Sequence, residues 1–500
     1  MSASRDFLVE IGTEELPPKS LLNLSAAFAE GVAIGLKDAG VAYKSLEAFA
    51  TPRRLAVRVR KLIEQQPDRP LEKRGPPVKA AFDVNGAPTQ AAVAFARGCG
   101  VDVSALEKIE TPKGEWLVFR GTETGARTVD LLPAIVTASL EALPIARRMR
   151  WGAGEALFVR PVHWVLMLWG KDVVQTEILG QQAGNLTYGH RFMAPKALKV
   201  SSPASYVTTL LKRGKVMADV NARRDSIRAG VADAAAKLDG IAVIDDALLD
   251  EVTGLVEWPV PLAGRFDPQF LELPAEVLIA TMQEHQRYFP VRDAQGKLMP
   301  WFITVANIES RDPSQVIAGN ERVVRPRLTD AAFFYRTDRQ HPLEAQVDAL
   351  KRVTFQTQLG SQHDKSERVR ALVKSITAAI GGDPTLADRA AVLSKCDLLT
   401  HMVGEFPELQ GLMGRYYALH DHEPAEVAEA LREQYLPRFA GDALPATRTG
   451  MALSIADKLD TIAGIFATGQ KPTGTRDPFG LRRAALGLLR TSIEQKLDLD

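Results

Sequence analysis

The sequence predicts a multidomain protein in which an α+β N-terminal and middle region is followed by an all-α domain. A chain of 500 residues with 46% hydrophobic and 25% charged residues has a folded protein's composition but is too long for one hydrophobic core. Strand-like runs such as EWLVFRG and WFITVANI mix with helical patterns as far as about residue 340. From residue 341 the apolar spacing is helical almost throughout, so we expect a domain boundary there.

Residues 1–65 are expected to form an α+β unit. Phe7–Ile11 has the character of a strand, and Pro17 and Pro18 open a helix that a glycine, Gly40, ends. The apolar face of this helix is predicted to carry Leu21, Leu24, Phe28, Val32 and Leu36. In TPRRLAVRVRKL, apolar residues alternate with Arg54, Arg58 and Arg60, which predicts a strand with one buried and one basic face. The pattern favours a solvated basic face, with RNA contact as the alternative.

The remaining divisions follow composition. Residues 66–114 are predicted to be a connector because prolines are frequent near their start, residues 115–340 an α+β body, and residues 341–500 the all-α domain. The final residues, TSIEQKLDLD, stop inside a predicted helix, which suggests a longer natural chain.

The charge balance and the missing motifs exclude several classes of protein. Lysine plus arginine (62) nearly equals aspartate plus glutamate (61), so a polyanion could bind only at a local patch. Cys99 and Cys396 show no CxxC spacing, and neither a signal peptide nor a membrane span is present, so we expect a cytoplasmic protein with no membrane partner. The sequence contains no GxxxxGK[ST], GxGxxG, HExxH or GxSxG motif, so NTPases, Rossmann enzymes, zincins and α/β-hydrolases are unsupported.

Two segments of the middle region combine arginines with aromatic residues. In EHQRYFP, His285 is either an acid–base group or a structural histidine, and Arg287 beside Tyr288 could clamp RNA. The segment GNERVVRPRLTDAAFFYRTD contains Arg322, Arg325, Arg327, Arg336 and Arg339. Contacts with phosphate and salt bridges to Glu321, Asp330 and Asp338 are equally compatible with this pattern.

A third basic segment, KPTGTRDPFGLRRAALGLLR, is predicted to begin a helix at Asp477 and Pro478. Its expected packing stripe is Leu481, Ala484, Ala485, Leu488 and Leu489. This assignment leaves Arg482, Arg483 and Arg490 without a structural task, so contact with RNA or a partner is slightly favoured over a solvated face.

The histidines of the helical region raise the question of a metal site. An HD-type phosphohydrolase needs a histidine, a His-Asp pair and a distal aspartate, but this chain has Cys396-Asp397 at the pair and Asp457 as the distal residue. His363-Asp364, His401 and His420-Asp421-His422 lie nearby in the sequence. Because the pair lacks its imidazole, we expect no metal.

Several long blocks in fixed order resemble the beta subunit of the bacterial two-subunit glycyl-tRNA synthetases. They are LVEIGTEELPP, ATPRRLAV, HQRYFPV, GNERVVRPRLTDAAFFY, KCDLLTHMVGEFPELQGLMGRYYA and IADKLDTIAGIFATGQKPTGTRDPFGLRRAALGLLR, and the resemblance runs essentially from end to end.

The resemblance implies a function, partners and a fold for the helical region, and it makes residues 115–340 the expected tRNA-binding body. It implies an α2β2 assembly that charges tRNA(Gly) with glycine, in which the alpha subunit carries the ATP-binding class II site and the holoenzyme uses ATP and Mg, with no cofactor on this chain. It also implies a degenerate HD-like domain, partly matched by Asp397 and Asp457, and a C-terminal anticodon-binding domain that these residues lack. The alternatives are an HD-type metal-dependent phosphohydrolase and a structural scaffold without RNA contact.

Overall fold

A computed structural model describes residues 3–83, 86–112, 114–474 and 476–499. The chain divides into two compact units. The first comprises residues 1–238, 244–262 and 304–313, and the second comprises residues 239–243, 263–303 and 314–500. The predicted boundaries at 65, 114 and 340 concern smaller folding units and stay predictions.

The first unit contains twelve strands and seven helices among its described residues. The strands are β1 (Ser4–Thr13), β2 (Ser45–Thr51), β3 (Arg54–Ile63), β4 (Arg69–Pro77), β5 (Glu107–Thr111), β6 (Gly114–Glu123), β7 (Val162–Trp169), β8 (Asp172–Val173), β9 (Glu177–Ile178), β10 (Gln181–Gly184), β11 (Leu186–Tyr188) and β12 (Ala197–Lys199). The helices are α1 (Leu21–Asp38), α2 (Val78–Ala81), α3 (Gln90–Cys99), α4 (Thr128–Glu141), α5 (Tyr206–Lys212), α6 (Val220–Ala236) and α7 (Asp246–Thr253).

The main sheet of this unit has the order β2-β3-β1-β7-β10-β9, with β8 added beside β7. β1 runs antiparallel to both β3 and β7, while β10 is parallel to β7. The predicted strand at Phe7–Ile11 is confirmed, and all five predicted apolar residues of α1 are buried. Gly40 has a φ of 69°, which confirms its predicted place just after the helix.

The sheet is covered on both faces, and this overturns the prediction of a solvated basic face on β3. One face packs against α1 and α4, and the other packs against α5 and the chain around Val216. Arg54 is fully buried and Arg58 is 6% exposed, whereas Arg60 stays exposed. Strand alternation shows which residues share a face, but it cannot show that a second layer covers that face.

Arg54 is buried within a network of charged and polar groups. Its guanidinium lies 3.4 Å from Glu10 and 3.1 Å from Glu257. It also donates hydrogen bonds to the hydroxyl of Thr187 and the carbonyl of Tyr188. The buried cation therefore has anionic and neutral acceptors, as a charge removed from water requires.

Regular secondary structure occupies the stretch that was predicted to be a connector. Strands β4, β6 and β5 form a separate sheet in that order, and α2 and α3 pack on it around Ala81, Ala92 and Leu117. The prolines of β4 are compatible with a strand because β4 lies at the edge of the sheet, where outward N–H groups have no partner strand.

The second unit is mainly helical. Its helices are α8 (Ala275–Ala280), α9 (Pro313–Asp338), α10 (Gln362–Ile380), α11 (Pro384–Leu393), α12 (His401–Glu405), α13 (Leu412–His420), α14 (Ala425–Glu433), α15 (Arg448–Ala467) and α16 (Leu481–Glu494). The remaining strands are β13 (Ile241–Ala242), β14 (Val260–Arg265), β15 (Phe289–Arg292), β16 (Leu298–Ala306), β17 (Thr354–Gln356) and β18 (Gly360–Ser361). Strands β13, β15, β16 and β14 form one sheet in that order.

The helical C-terminal part of the fold prediction is confirmed, since residues 362–494 contain helices α10–α16 and no strand among their described residues. A single apolar core extends from Phe266 to Ala456 and includes the inner faces of α9, α10 and α15. Within the described ranges, no helix combines the length and the apolar character needed to cross a bilayer.

We expect Arg54→Met to destabilise the first unit by about 3–5 kcal/mol, because Glu10 and Glu257 would be left buried without their cation. Urea unfolding followed by tryptophan fluorescence measures this, since the Trp164 indole hydrogen-bonds Glu10. The matched control is Arg60→Gln on the same strand, an exposed change expected to cost less than about 0.5 kcal/mol. Equal effects of the two substitutions would contradict the assigned role of the network.

Candidate nucleic-acid interface

Helix α9 presents a basic face that also carries an aromatic ring. Arg322, Arg325, Phe333 and Arg336 recur at intervals of three, eight and three residues, so they share one side of the helix. All are exposed, including 57% of Phe333, whereas Val324, Leu328 and Ala331 bury the opposite side. We call Arg322, Arg325, Phe333 and Arg336 the α9 face.

The arginines of the α9 face have no ion pair within the described residues, although salt bridges were an equal alternative in the sequence. Glu321 instead accepts a hydrogen bond from the backbone amide of Arg265 at 2.9 Å. Asp338 is committed to His401 and to the hydroxyl of Tyr417. Arg327 is likewise exposed without an ion pair in the described part of the chain, but it lies on another side of α9. These guanidinium groups are therefore available to an external anion.

A groove of about 410 Å³ adjoins the α9 face within the second unit. Its lining consists of Arg265, Phe266, Asp267, Pro268, Phe270, Pro300, Trp301, Glu321 and Arg325. Arg325 therefore belongs to both surfaces. The combination of guanidinium groups with an indole ring suits a nucleotide, whose phosphate and base need those two kinds of contact.

Arg287 and His285 lie at a locally irregular helix end. Residues Thr281–His285 form a π-helical turn, and Arg287 follows with a φ of 60°, a conformation that non-glycine residues seldom adopt. The Arg287 guanidinium donates to the carbonyl of Gln283 at 3.3 Å. The His285 ring stacks on Phe406 at 5.1 Å and lies 3.7 Å from Glu405. These contacts favour a structural histidine over an acid–base group.

The arginines of α16 differ from one another. The helix begins at Leu481, three residues after the predicted start, because Gly480 takes a left-handed conformation with a φ of 65°. The Asp477 carboxylate still accepts hydrogen bonds from the amides of Leu481 and Arg482. The predicted stripe is only partly buried, and Leu489 is 52% exposed.

Arg482 and Arg490 form contacts within the protein, although the sequence assigned no structural role to either residue. Arg482 donates to the carbonyl of Gly474 at 2.7 Å, and Arg490 pairs with Glu494 at 2.8 Å. Arg483 is exposed and has no ion pair within the described residues. It lines a small cleft of about 130 Å³ together with Arg438, Phe439 and Arg490.

Asp457, on the buried helix α15, is surrounded by lysines. Its carboxylate lies 3.3 Å from the Lys365 ammonium and 3.1 Å from the Lys395 ammonium. Burial alone would raise the pKa of Asp457, but these two cations outweigh burial and lower the pKa. A divalent cation would have to displace two buried ammonium groups, so this donor set does not fit a metal.

Asp397 is buried in a different environment. Its carboxylate accepts hydrogen bonds from the amides of Gly411 and Gly414. Burial raises the pKa of Asp397 to about 6 in spite of these amides. The half-buried Tyr435 ring packs against the Lys395 ammonium at 4.5 Å. Burial of the Tyr435 hydroxyl, with the charges of Asp397 and Asp457, raises its pKa. The carboxylates at both predicted HD positions therefore interact with groups of the protein itself, which are lysines at Asp457 and backbone amides at Asp397.

The other residues considered as metal ligands in the sequence also make contacts with protein groups. Asp364, next to His363, accepts hydrogen bonds from the amide and hydroxyl of Ser361, the N-cap of α10, and so completes a capping box. His401 lies 2.8 Å from Asp338, and His420 lies 2.9 Å from the guanidinium of Arg339.

Sequence reasoning missed Trp301 and did not select Phe333 as a site residue. The helical spacing of Phe333 from Arg322 and Arg325 was a usable signal, because residues eleven and eight positions apart lie on one side of a helix. Trp301 had no such signal, since it reaches the groove from strand β16.

Comparison with known proteins gives a consistent result. The model of the family described as "Glycyl-tRNA synthetase beta subunit" matches residues 7–500. The glycine–tRNA ligase beta subunit of Marinobacter nauticus is 58% identical over 499 residues, which is 100% of this chain and 72% of the relative. That of Hahella chejuensis is 58% identical over 496 residues, with 99% and 72% covered. That of Edwardsiella ictaluri is 54% identical over 494 residues, again with 99% and 72% covered.

The raised pKa of Asp397 predicts a pH dependence of stability. Because its folded pKa of about 6 exceeds the ordinary value of 3.8, the folded state holds the proton more tightly. The resulting stabilisation is complete below 3.8 and is lost as the pH rises through 6. We expect the free energy of unfolding of the wild type, relative to Asp397→Asn, to rise by on the order of 2 kcal/mol between pH 7 and pH 4.

The control is Asp388→Asn, because hydrogen bonding to Arg370 lowers the pKa of Asp388 to about 2. The free energy of unfolding of the wild type, relative to Asp388→Asn, should change in the opposite direction and fall as the pH drops below 3.8. Chemical denaturation from pH 7 down to about pH 2 measures both effects, and a pH-independent difference for Asp397→Asn would refute the assignment.

Proposed function

This chain belongs to the glycyl-tRNA synthetase beta-subunit family, and from that premise we propose that it binds tRNA(Gly) and positions it for glycylation by an alpha subunit. Family membership makes the chain part of a ligase, an aminoacyl-tRNA synthetase. The designation as a beta subunit implies at least one partner subunit. We extend this to an α2β2 assembly in the cytoplasm.

The α9 face is the observation that carries the proposal. Three exposed guanidinium groups, which form no ion pair within the described residues, lie on the same side of the helix as an exposed phenyl ring. Arginine forks match phosphate oxygens, and aromatic rings stack on unpaired bases whatever their identity. The adjoining groove adds Trp301 and Arg265 to this surface. Together they provide contacts that orient an RNA without reading its sequence.

Catalysis of adenylate formation is assigned to the alpha subunit in this proposal. The sequence of this chain contains no GxxxxGK[ST] loop or other familiar nucleotide motif. We therefore place ATP, Mg and glycine on the alpha subunit, with no cofactor on this chain. The contribution of this chain is positional, because holding the tRNA end near the partner's site removes part of the entropic barrier.

The helical region is proposed to be an HD-like domain in which lysines replace the metal. Lys365 and Lys395 supply to Asp457 the positive charge that a divalent cation supplies in a metal-dependent HD enzyme. An HD phosphohydrolase needs carboxylates free to bind its metal, and this donor set does not favour that alternative. A scaffold without RNA contact is the remaining alternative, and binding measurements distinguish it.

Replacing Arg322, Arg325 and Arg336 together with Gln should weaken tRNA(Gly) binding about tenfold or more and reduce the slope of log affinity against log salt by up to about three. The physical reason is that fewer counterions are released when three phosphate contacts are removed. Fluorescence anisotropy over a range of salt concentrations measures both quantities.

The matched control replaces Arg60, Arg120 and Arg228 with Gln, which removes the same charge from exposed arginines that already pair with Glu47, Glu72 and Asp246. Its affinity and slope should stay near those of the wild type. Equal losses in both triple variants would mean that net charge alone drives binding, and no loss in the α9 variant would remove the α9 face from the interface.

The purified chain alone should not catalyse glycine-dependent ATP–pyrophosphate exchange, and aminoacylation should appear only when an alpha subunit is added. The reason is that this proposal places ATP and glycine on the partner. Exchange by the chain free of alpha subunit would contradict the proposal, and a preparation of the alpha subunit alone provides the comparison.

A further inference from the structure

In the first unit, neighbouring segments contribute three buried polar side-chain atoms for which the described residues provide no hydrogen-bond partner. They are the hydroxyl of Thr13, Nε of Arg53 and Nε2 of His190. Thr13 is completely buried and His190 is 1% exposed. A polar group that is buried and unpaired destabilises the folded state, so such groups call for an explanation. We call Thr13, Arg53 and His190 the His190 site.

The protonation of His190 follows from its contacts. Its Nδ1 accepts hydrogen bonds from the backbone amides of Phe192 at 3.3 Å and Met193 at 3.2 Å. Since Nδ1 accepts, a neutral His190 carries its proton on Nε2. The unpaired atom is therefore a donor, as is Nε of Arg53, and the Thr13 hydroxyl is able to donate as well. The site offers donors and lacks an acceptor.

Backbone and ring contacts bring the three segments together at the end of β1. The amide of Thr13 donates to the carbonyl of Arg53 at 2.9 Å. The Arg53 guanidinium lies 5.8 Å from the Trp164 ring, which in turn lies 5.0 Å from the ring of Tyr188. His190 follows Tyr188 by two positions.

A salt bridge fixes the other side of the same loop. Arg191 pairs with Glu14 at 2.6 Å and with Glu15 at 3.2 Å, so the residues next to His190 and Thr13 are in contact. The ring of Phe192, which is 74% exposed, extends from the same loop.

The three arginines around the site differ in whether they form ion pairs. Arg54 is neutralised by Glu10 and Glu257, and Arg191 is neutralised by Glu14 and Glu15. Arg53 forms no ion pair within the described residues. Burial lowers the pKa of Arg53, and the charges of Arg191 and Arg54 lower it further against the opposing charge of Glu257. A bound anion would stabilise the charged form of Arg53, which burial and the neighbouring cations disfavour.

We propose that the His190 site binds a phosphate group through Arg53, His190 and Thr13. A phosphate offers several acceptor oxygens and a negative charge, which match two fixed donors, a hydroxyl and a cation that forms no ion pair within the described residues. The phosphate comes from an RNA backbone or from a free phosphate or nucleotide. The RNA source rests on the proposed function, and the exposed Phe192 ring beside His190 provides a surface on which a neighbouring base stacks.

The test uses two substitutions in the full chain. Arg53→Gln removes the cation, and His190→Asn keeps an acceptor oxygen for the two loop amides while removing the Nε2 donor. Arg60→Gln is the control of equal charge on the adjacent strand. Each variant is titrated with tRNA(Gly) over a range of salt concentrations, and its melting temperature is measured with increasing inorganic phosphate.

An RNA-backbone phosphate predicts tRNA binding weakened about fivefold or more by both substitutions, with the salt slope reduced by about one in Arg53→Gln only. Phe192→Leu should then weaken tRNA binding as well. A free phosphate predicts instead that inorganic phosphate raises the melting temperature of the wild type and of Arg60→Gln more than that of Arg53→Gln and His190→Asn, with tRNA binding unchanged. This comparison among variants removes the general stabilisation by phosphate salts.

If both site variants match Arg60→Gln in tRNA binding and in phosphate response, the His190 site is overturned. That result leaves the proposed function standing if the α9 variant still loses tRNA. If the wild type does not bind tRNA at all, the proposed function fails, and the phosphate response alone decides about the His190 site.

Discussion

The fully buried guanidinium of Arg54 is the constraint on which the first unit depends. It requires acceptors from β1, β11 and the chain after α7 at the same time, through Glu10, Thr187, Tyr188 and Glu257. An isolated charge in such a place would cost several kcal/mol, so these segments are stable only when assembled around it. The same assembly sets the end of β1, where Thr13 and the loop containing His190 meet. The architecture of the His190 site is therefore a consequence of how one buried cation is neutralised.

The second unit has the reverse arrangement, in which one half-buried carboxylate lies between two buried ammonium groups. Asp457 lies on α15 between Lys365 and Lys395, whose ammonium groups are attached to α10 and to the chain after α11. A metal would also have neutralised this carboxylate, but its occupancy would depend on supply and pH. Because the two lysines are part of the chain, they neutralise the carboxylate whenever the unit is folded. This arrangement keeps the helices joined through a charge network without requiring the chemistry that a metal would bring.

The sequence predicted local features well and long-range partners poorly. The apolar face of α1 and the strand around Phe7 were predicted correctly because the spacing of apolar residues within a short segment shows which side chains share a buried face. Arg54 was misjudged because the layer that covers it comes from residues more than a hundred positions away. At the candidate interface, exposed arginines were identified on α9, but only the structure separated them from Arg482 and Arg490, which have internal acceptors. Choice of partner is a tertiary property, so composition alone could not reveal it.

Because the net charge of this chain is only +1, attraction for RNA has to come from local groups of arginines without ion pairs. A nearly neutral protein exerts little long-range attraction on a polyanion, and at physiological salt charges are screened beyond about 8 Å. Cations concentrated on the α9 face act only after an RNA has come close. At that distance they favour one orientation, because phosphates gain energy only where guanidinium groups lack internal partners. Such a distribution of charge suits a subunit that orients tRNA better than one that captures it from a distance, and this is the division of labour expected when the chemistry takes place on a partner.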